Sequence, residues 1–184
     1  MKKTTEKITI GNKKFDAELL WTEKKDRRKL KKLYKAWVEL KNGLKEFESR
    51  APNLPEGISE GAFSLEFDCP RVLDVRGTAA SYDCYNTKTH ERIQIKATTI
   101  RYDLTSFGPD SVWDTLYLLD FYRDGKFDGK YDVYKIPNDL IYNHQISKTQ
   151  TFRDQQKQKR RPRFGIKKSI IEVHDIKPTQ TCQI

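Results

Sequence analysis

The chain has 184 residues, with 36 Lys and Arg against 26 Asp and Glu, a formal charge of +10 and 11% aromatic side chains. That length buries a sizeable core within one domain, and the aromatic content excludes a disordered basic tail. The positive excess favours a polyanionic partner, nucleic acid first. No apolar run approaches the roughly 20 residues of a membrane span.

Met1-Lys2-Lys3-Thr4 leads into charged sequence without the apolar run of a secretory signal. Cys69, Cys84 and Cys182 are odd in number and far apart, so neither a zinc site nor a disulfide framework is expected, and reduced thiols in a cytoplasm are. His90, His144 and His174 are scattered and suggest no ligand set.

The first element expected is a long helix over residues 22–50. Leu30, Leu33, Trp37, Leu40, Leu44 and Phe47 are spaced 3-4-3-4-3 along it. Such a stripe packs on a core, or serves as a dimer seam. Ala51 to Gly57 is a Pro/Gly loop. Ser59 is the expected cap of a short helix from Glu60 to Phe67, which opens a catalytic core over residues 55–136.

Strands follow at Arg71–Arg76 and Ala79–Asn86. Ile93-Gln94-Ile95-Lys96 then pairs with the second of these across the polar link Asn86 to Glu91. Side chains alternate along a strand, so Gln94 and Lys96 share one face and Ile93 and Ile95 the other. Asp83 shares its face with Ser81 and Tyr85, while Tyr82 and Cys84 point inward. A hairpin centred between Lys88 and Thr89 sets Asp83 opposite Gln94, close enough for two oxygens to share one ion.

The chemistry of that pairing is phosphodiester hydrolysis assisted by Mg²⁺, which takes a few hard oxygen ligands and keeps several waters. Asp83 is the charged ligand, with the Gln94 side-chain oxygen and the Ile95 carbonyl as neutral ones. Lys96 sits beside the attacking water or the phosphate. Glu60, 23 residues ahead of Asp83, is the carboxylate that would complete the shell, with Glu66 as its rival and Asp68 and Asp74 as weaker candidates. The plainer readings are a solvated hairpin face and, for Glu60, a residue favouring its helix N-terminus.

Asp103 to Asp110 reads as a loop and Ser111 to Thr115 as one helical turn. Leu116–Tyr122 and Tyr131–Ile136 form a second hairpin, Pro137–Tyr142 a short helix and Ser169–Ile176 a last strand. Helices around a mixed sheet make the class α/β or α+β. Between the last two elements, Lys157 to Lys168 carries seven cations and no acid. In it Arg160, Arg161, Arg163, Lys167 and Lys168 are the candidate DNA contacts. Arginine reads guanine through a bidentate fork, while lysines hold phosphates. Gln155, Gln156 and Gln158 add amides. The plainer reading is a solvated loop.

The order of the Glu60 helix, the Asp83 strand and the Gln94-Ile95-Lys96 strand resembles the PD-(D/E)xK nuclease superfamily, and implies its restriction-endonuclease-like core. Gln94 departs from the usual acid at its position. Longer phrases resemble the small type II restriction endonucleases that cleave the interrupted palindrome GCNGC. They are Pro52-Asn53-Leu54-Pro55-Glu56-Gly57-Ile58-Ser59-Glu60-Gly61-Ala62-Phe63, Ser81-Tyr82-Asp83-Cys84-Tyr85-Asn86, Asp103-Leu104-Thr105-Ser106-Phe107-Gly108-Pro109 with Trp113, and Tyr134-Lys135-Ile136-Pro137-Asn138-Asp139-Leu140-Ile141. The resemblance implies a Mg²⁺-dependent homodimeric endonuclease leaving 5′-phosphate ends on double-stranded DNA, and a cognate DNA methyltransferase in the same host system. The competing functions are a structure-specific repair or junction nuclease on the same scaffold and a non-catalytic DNA-binding protein.

Overall fold

The computed structural model describes residues 1–78 and 81–184. Strands β1 (Lys2–Ile10) and β2 (Lys13–Trp21) lead into a short 3₁₀ turn and helix α1 (Arg27–Glu46). Helix α2 (Glu56–Phe67) and strands β3 (Arg71–Val75), β4 (Cys84–Tyr85), β5 (Arg92–Thr98) and β6 (Thr105–Ser106) follow. Next come β7 (Thr115–Asp120), β8 (Lys130–Ile136), α3 (Asn138–Tyr142), β9 (Gln145–Ser147) and β10 (Gln150–Thr151). Helix α4 (Phe152–Lys157), β11 (Arg163–Phe164) and β12 (Gln180–Gln183) complete the chain.

Among the described residues, eight strands form one sheet in the order β1-β2-β3-β4-β5-β7-β8-β12. Every neighbouring pair is antiparallel except β5 and β7, which run parallel. The class is therefore mixed α+β, as expected. Central strand β7 is buried on both faces. Leu116 and Leu118 join Phe107, Trp113, Phe152 and Phe164 on one side. Leu119 joins Leu30, Trp37, Phe63 and Tyr131 under the long helices on the other.

The β1–β2 hairpin lies in a stretch where sequence reading assigned no element. Its two-residue turn, Gly11-Asn12, has positive φ at Gly11, the residue that tolerates it. Ile8, Ala17 and Leu19 then pack against Tyr82 and Tyr85. Tyr85 is thus buried although it alternates with Cys84, because both faces of β4 are covered.

The apolar stripe of α1 divides. Leu30 and Trp37 are buried, joined by Tyr34 and by Lys41, whose ammonium sits 3.6 Å from the centre of the Phe127 ring. Leu33, Leu40 and Phe47 form a second, exposed row. Four further expectations are corrected. Helix α2 starts at Glu56 after Pro55, so Ser59 is inside it and its hydroxyl donates to the Glu56 carbonyl. Residues Ser111 to Asp114 run without a helical turn, held by Val112 N–H donating to the Ser81 hydroxyl and Asp114 N–H donating to the Arg92 carbonyl. Lys167–Ile171 is a π-helical turn, not a strand, and buries Ile170 and Ile171 on one side. Of the expected strand Ala79–Asn86, only Cys84–Tyr85 pairs as β4, and Ala79 and Ala80 lie outside the described residues.

Candidate active site

The ladder between β4 and β5 pairs Cys84 with Ile93 and Tyr85 with Arg92. This is the register centred between Lys88 and Thr89, and one residue further it sets Asp83 opposite Gln94. Among the described residues the ladder ends there, leaving the β5 edge unpaired from Gln94 onward. The Asp83 backbone is gripped from both sides: its N–H donates to the Ile93 carbonyl and its carbonyl accepts from Val72 N–H, both at 2.9 Å. Its carboxylate takes the place of the missing strand, accepting Ile95 N–H at 2.6 Å. The Gln94 amide nitrogen donates to the same oxygen, Oδ2. In this arrangement Gln94, buried beneath the site, orients the carboxylate.

Burial pushes the Asp83 carboxyl above its ordinary value, opposed by the Ile95 N–H and by the Lys96 charge. Lys96 is on the same face of β5 as Gln94, with its ammonium 5.4 Å from the centre of the Phe107 ring. Among the described residues it has no carboxylate within 4.0 Å.

Helix α2 brings Glu60 to this edge. Glu60 accepts from the Arg71 guanidinium at 2.6 Å, in a pair whose side chains are only 12% and 18% exposed. Its carboxyl is nevertheless pushed up to about 7, because burial and the neighbouring Asp83 charge outweigh Arg71. Glu66 is resolved as a structural residue, paired with Arg27 at 2.5 Å on the other side of α2. Asp68 pairs with Lys88 at the surface, and Asp74 lies exposed on β3. Sequence reading passed over Glu56, one helical turn before Glu60 on the same face. It lines the same cleft, and the i, i+4 spacing was the available signal.

Glu56, Glu60, Asp83, Ile95 and Lys96 line one cleft of about 350 Å³, bounded on its far side by Thr98 to Ile100 and Asp103 to Ser106. Among the described residues, no group of three or more His, Cys, Asp or Glu is gathered as a metal cluster. The donors offered are the Asp83 and Glu60 carboxylates, with the Ile95 carbonyl and the Gln94 amide beside them. Hard oxygens in this number suit a small divalent cation that retains waters. Burial first, and the Asp83 charge second, hold the Glu60 carboxyl up, and a dication between the two carboxylates would offset both.

The basic segment reaches the cleft through β11, whose Arg163 pairs with Ser106 of β6. Arg160, Arg161, Arg163 and Lys168 are exposed, and Arg160 also donates to the Gln150 side chain at 3.1 Å. Lys167 is a correction. Its ammonium pairs with Asp120, a carboxylate 2% exposed, and its N–H donates to Asp103 at 2.9 Å. It is part of the scaffold and does not face solvent as a DNA contact. Gln155 is buried, and Gln156 donates to the Gly108 and Ser111 carbonyls, so neither is free to read a base.

Residues 22–173 match the model of the Bsp6I restriction endonuclease family. The chain is 38% identical over 160 residues to the type II restriction enzyme Bsp6I of Bacillus sp. strain RFL6, covering 83% of this chain and 85% of that one. No solved structure matches it. The matched region contains the whole cleft and the arginine-bearing strand at its lip; the chain belongs to the Bsp6I restriction endonuclease family and is a type II restriction enzyme.

Proposed function

We propose that this enzyme hydrolyses double-stranded DNA at GCNGC with Mg²⁺ as its cofactor, leaving 5′-phosphate and 3′-hydroxyl ends. The observation that carries the reading is the convergence of Asp83, Glu60 and Lys96 in one cleft with Arg163 at its lip. Asp83, Glu60 and the Ile95 carbonyl would hold the cation, with Gln94 fixing the Asp83 carboxylate or lending its own amide oxygen. Bound there, the cation would supply Lewis-acid polarisation of the phosphate and a water of lowered pKa. Lys96, without an acidic partner among the described residues, stabilises the charge that develops on the phosphoryl oxygens. Water oxygen bonds to phosphorus as the bond to the 3′ oxygen breaks. Arg71 holds Glu60 at the cleft and keeps part of its charge neutralised.

Arg160, Arg161, Arg163 and Lys168 supply the DNA-facing cations, and at least one of the arginines reads guanine. A two-fold target cut on both strands calls for a two-fold enzyme. The exposed row Leu33, Leu40 and Phe47, beside an apolar groove of about 600 Å³ between α1, α2 and β2, supports a homodimer through α1. In its host the enzyme acts opposite a DNA methyltransferase that protects the same site.

Digestion of a fully sequenced plasmid in Mg²⁺, with end mapping, tests the reading. Discrete fragments ending at GCNGC are expected. A smear, or cuts placed by DNA structure and not by sequence, would overturn the specificity, and absence of cleavage with intact binding would overturn the site.

A further inference from the structure

The six residues Thr99 to Leu104 link β5 to β6; Thr99, Ile100, Asp103 and Leu104 line the far side of the cleft, and Arg101 and Tyr102 lie between them in the chain. Three of them are large, apolar or aromatic, and exposed: Ile100, Tyr102 and Leu104. Single exposed apolar residues are ordinary, but three within five positions, two of them lining the cleft, are a patch that water solvates poorly. The patch is interleaved with cations. The Arg101 guanidinium lies 5.3 Å from the centre of the Tyr102 ring, and the Lys168 ammonium 5.8 Å from it.

The loop is held at both ends. The Thr98 hydroxyl donates to the Ile100 carbonyl at 3.0 Å and accepts its N–H at 3.3 Å. At the other end the buried Asp103 carboxylate accepts Ile166 N–H and Lys167 N–H, each at 2.9 Å, and the Thr105 hydroxyl at 2.6 Å. A Cβ at Gly165 would meet the Asp103 carbonyl at 2.5 Å, so the basic segment can lie this close only with glycine there. The exposed side chains are thus presented from a braced loop, with little ordering left to lose on binding.

We propose that this loop is an apolar DNA contact in which the Tyr102 ring packs on a base or deoxyribose beside the scissile phosphate, with Arg101 and Lys168 taking the flanking phosphates. The inference rests on the DNA-cleaving reading of the cleft. A polyanion with apolar base and sugar surfaces is the occupant that matches both halves of the patch, and its continuity with the Asp83 cleft places the contact at the cut. Aromatic packing on a base is tolerant of sequence, so this loop would grip the substrate while the arginine segment selects it.

The test measures binding of the full-length protein to a duplex centred on GCNGC, in Ca²⁺ at two salt concentrations, for wild type, Tyr102→Ala, Tyr102→Phe and Arg101→Ala. Tyr102→Ala should bind roughly 5- to 150-fold more weakly, with its salt dependence unchanged because no counterion-releasing charge is lost. Tyr102→Phe should keep wild-type affinity. Arg101→Ala should flatten the salt slope by about one unit. Wild-type affinity in Tyr102→Ala would overturn the proposal, and so would a flattened salt slope or a change confined to its oligomeric state. A wild-type protein that neither binds nor cuts DNA would overturn the proposed function itself, a failure visible before any variant is made.

Discussion

Glu60→Gln keeps the shape of a cleft carboxyl and removes its titration. In the folded chain this group is moved from its ordinary 4.5 up to about 7, by burial first and by Asp83 second. The folded state therefore holds a proton that the unfolded state has released between those values. Its contribution to stability is complete below pH 4.5 and lost as pH rises through 7. The displacement corresponds to roughly 3 kcal/mol, and the 12% exposure of the side chain leaves little for solvent to screen. Asp83 is moved in the same direction by its own burial and adds to the slope. Urea unfolding of the metal-free protein from pH 4.5 to 8 should show wild-type stability falling across this window and the Glu60→Gln curve flatter by about that amount. The slope is the reading, because glutamine also leaves the Arg71 guanidinium without its carboxylate, a loss that costs several kcal/mol at buried pairs. A divalent cation requires the ionised form, so stabilisation by Mg²⁺ should grow with pH in wild type and less in the variant. Parallel pH curves for the two proteins would refute the argument.

Asp83→Ala should cut DNA at under about 1% of the wild-type rate, since the metal's charge stabilisation is worth several kcal/mol, while binding in Ca²⁺ persists in a mobility-shift assay. Lys96→Met should lower cleavage by about 100-fold or more without lowering the melting temperature, because among the described residues the ammonium has no ion-pair partner to lose; a clear drop would make it a structural cation. Lys167→Ala should destabilise by about 3–5 kcal/mol in urea by stranding Asp120 in the interior, with the salt dependence of DNA binding unchanged. Arg160, Arg161 and Arg163, changed singly to Ala, should separate in competition binding. A phosphate contact weakens all duplexes alike, whereas a guanine reader loses about 1–3 kcal/mol on the specific site alone.

The sequence by itself determined whatever depends on local spacing. The period-2 alternation of Ile93 to Lys96 and the length of the link from Asn86 to Glu91 were enough to pair Asp83 with Gln94, because a hairpin register follows from counting residues. The helical period placed α1, and the acid-free run from Lys157 to Lys168 marked the basic segment. Local signals also misled. The β-branched Ile170, Ile171 and Val173 suggested a strand, yet packing of the two isoleucines into one core won over propensity and wound the segment into a π turn. The Gly11-Asn12 turn of the first hairpin was present in the sequence and went unread among charged residues.

Tertiary structure alone decided the rest. The sequence reading prefers Glu60 to Glu66 without a local signal to decide between them, and the packing of α2 sends one to the Asp83 cleft and the other to Arg27. Lys167 and Lys168 are adjacent cations, but the buried carboxylate of the distant Asp120 draws one into an ion pair and leaves the other in solvent. The raised Glu60 carboxyl has the same origin. Desolvation and charge proximity depend on distances between segments far apart along the chain, which no local pattern encodes.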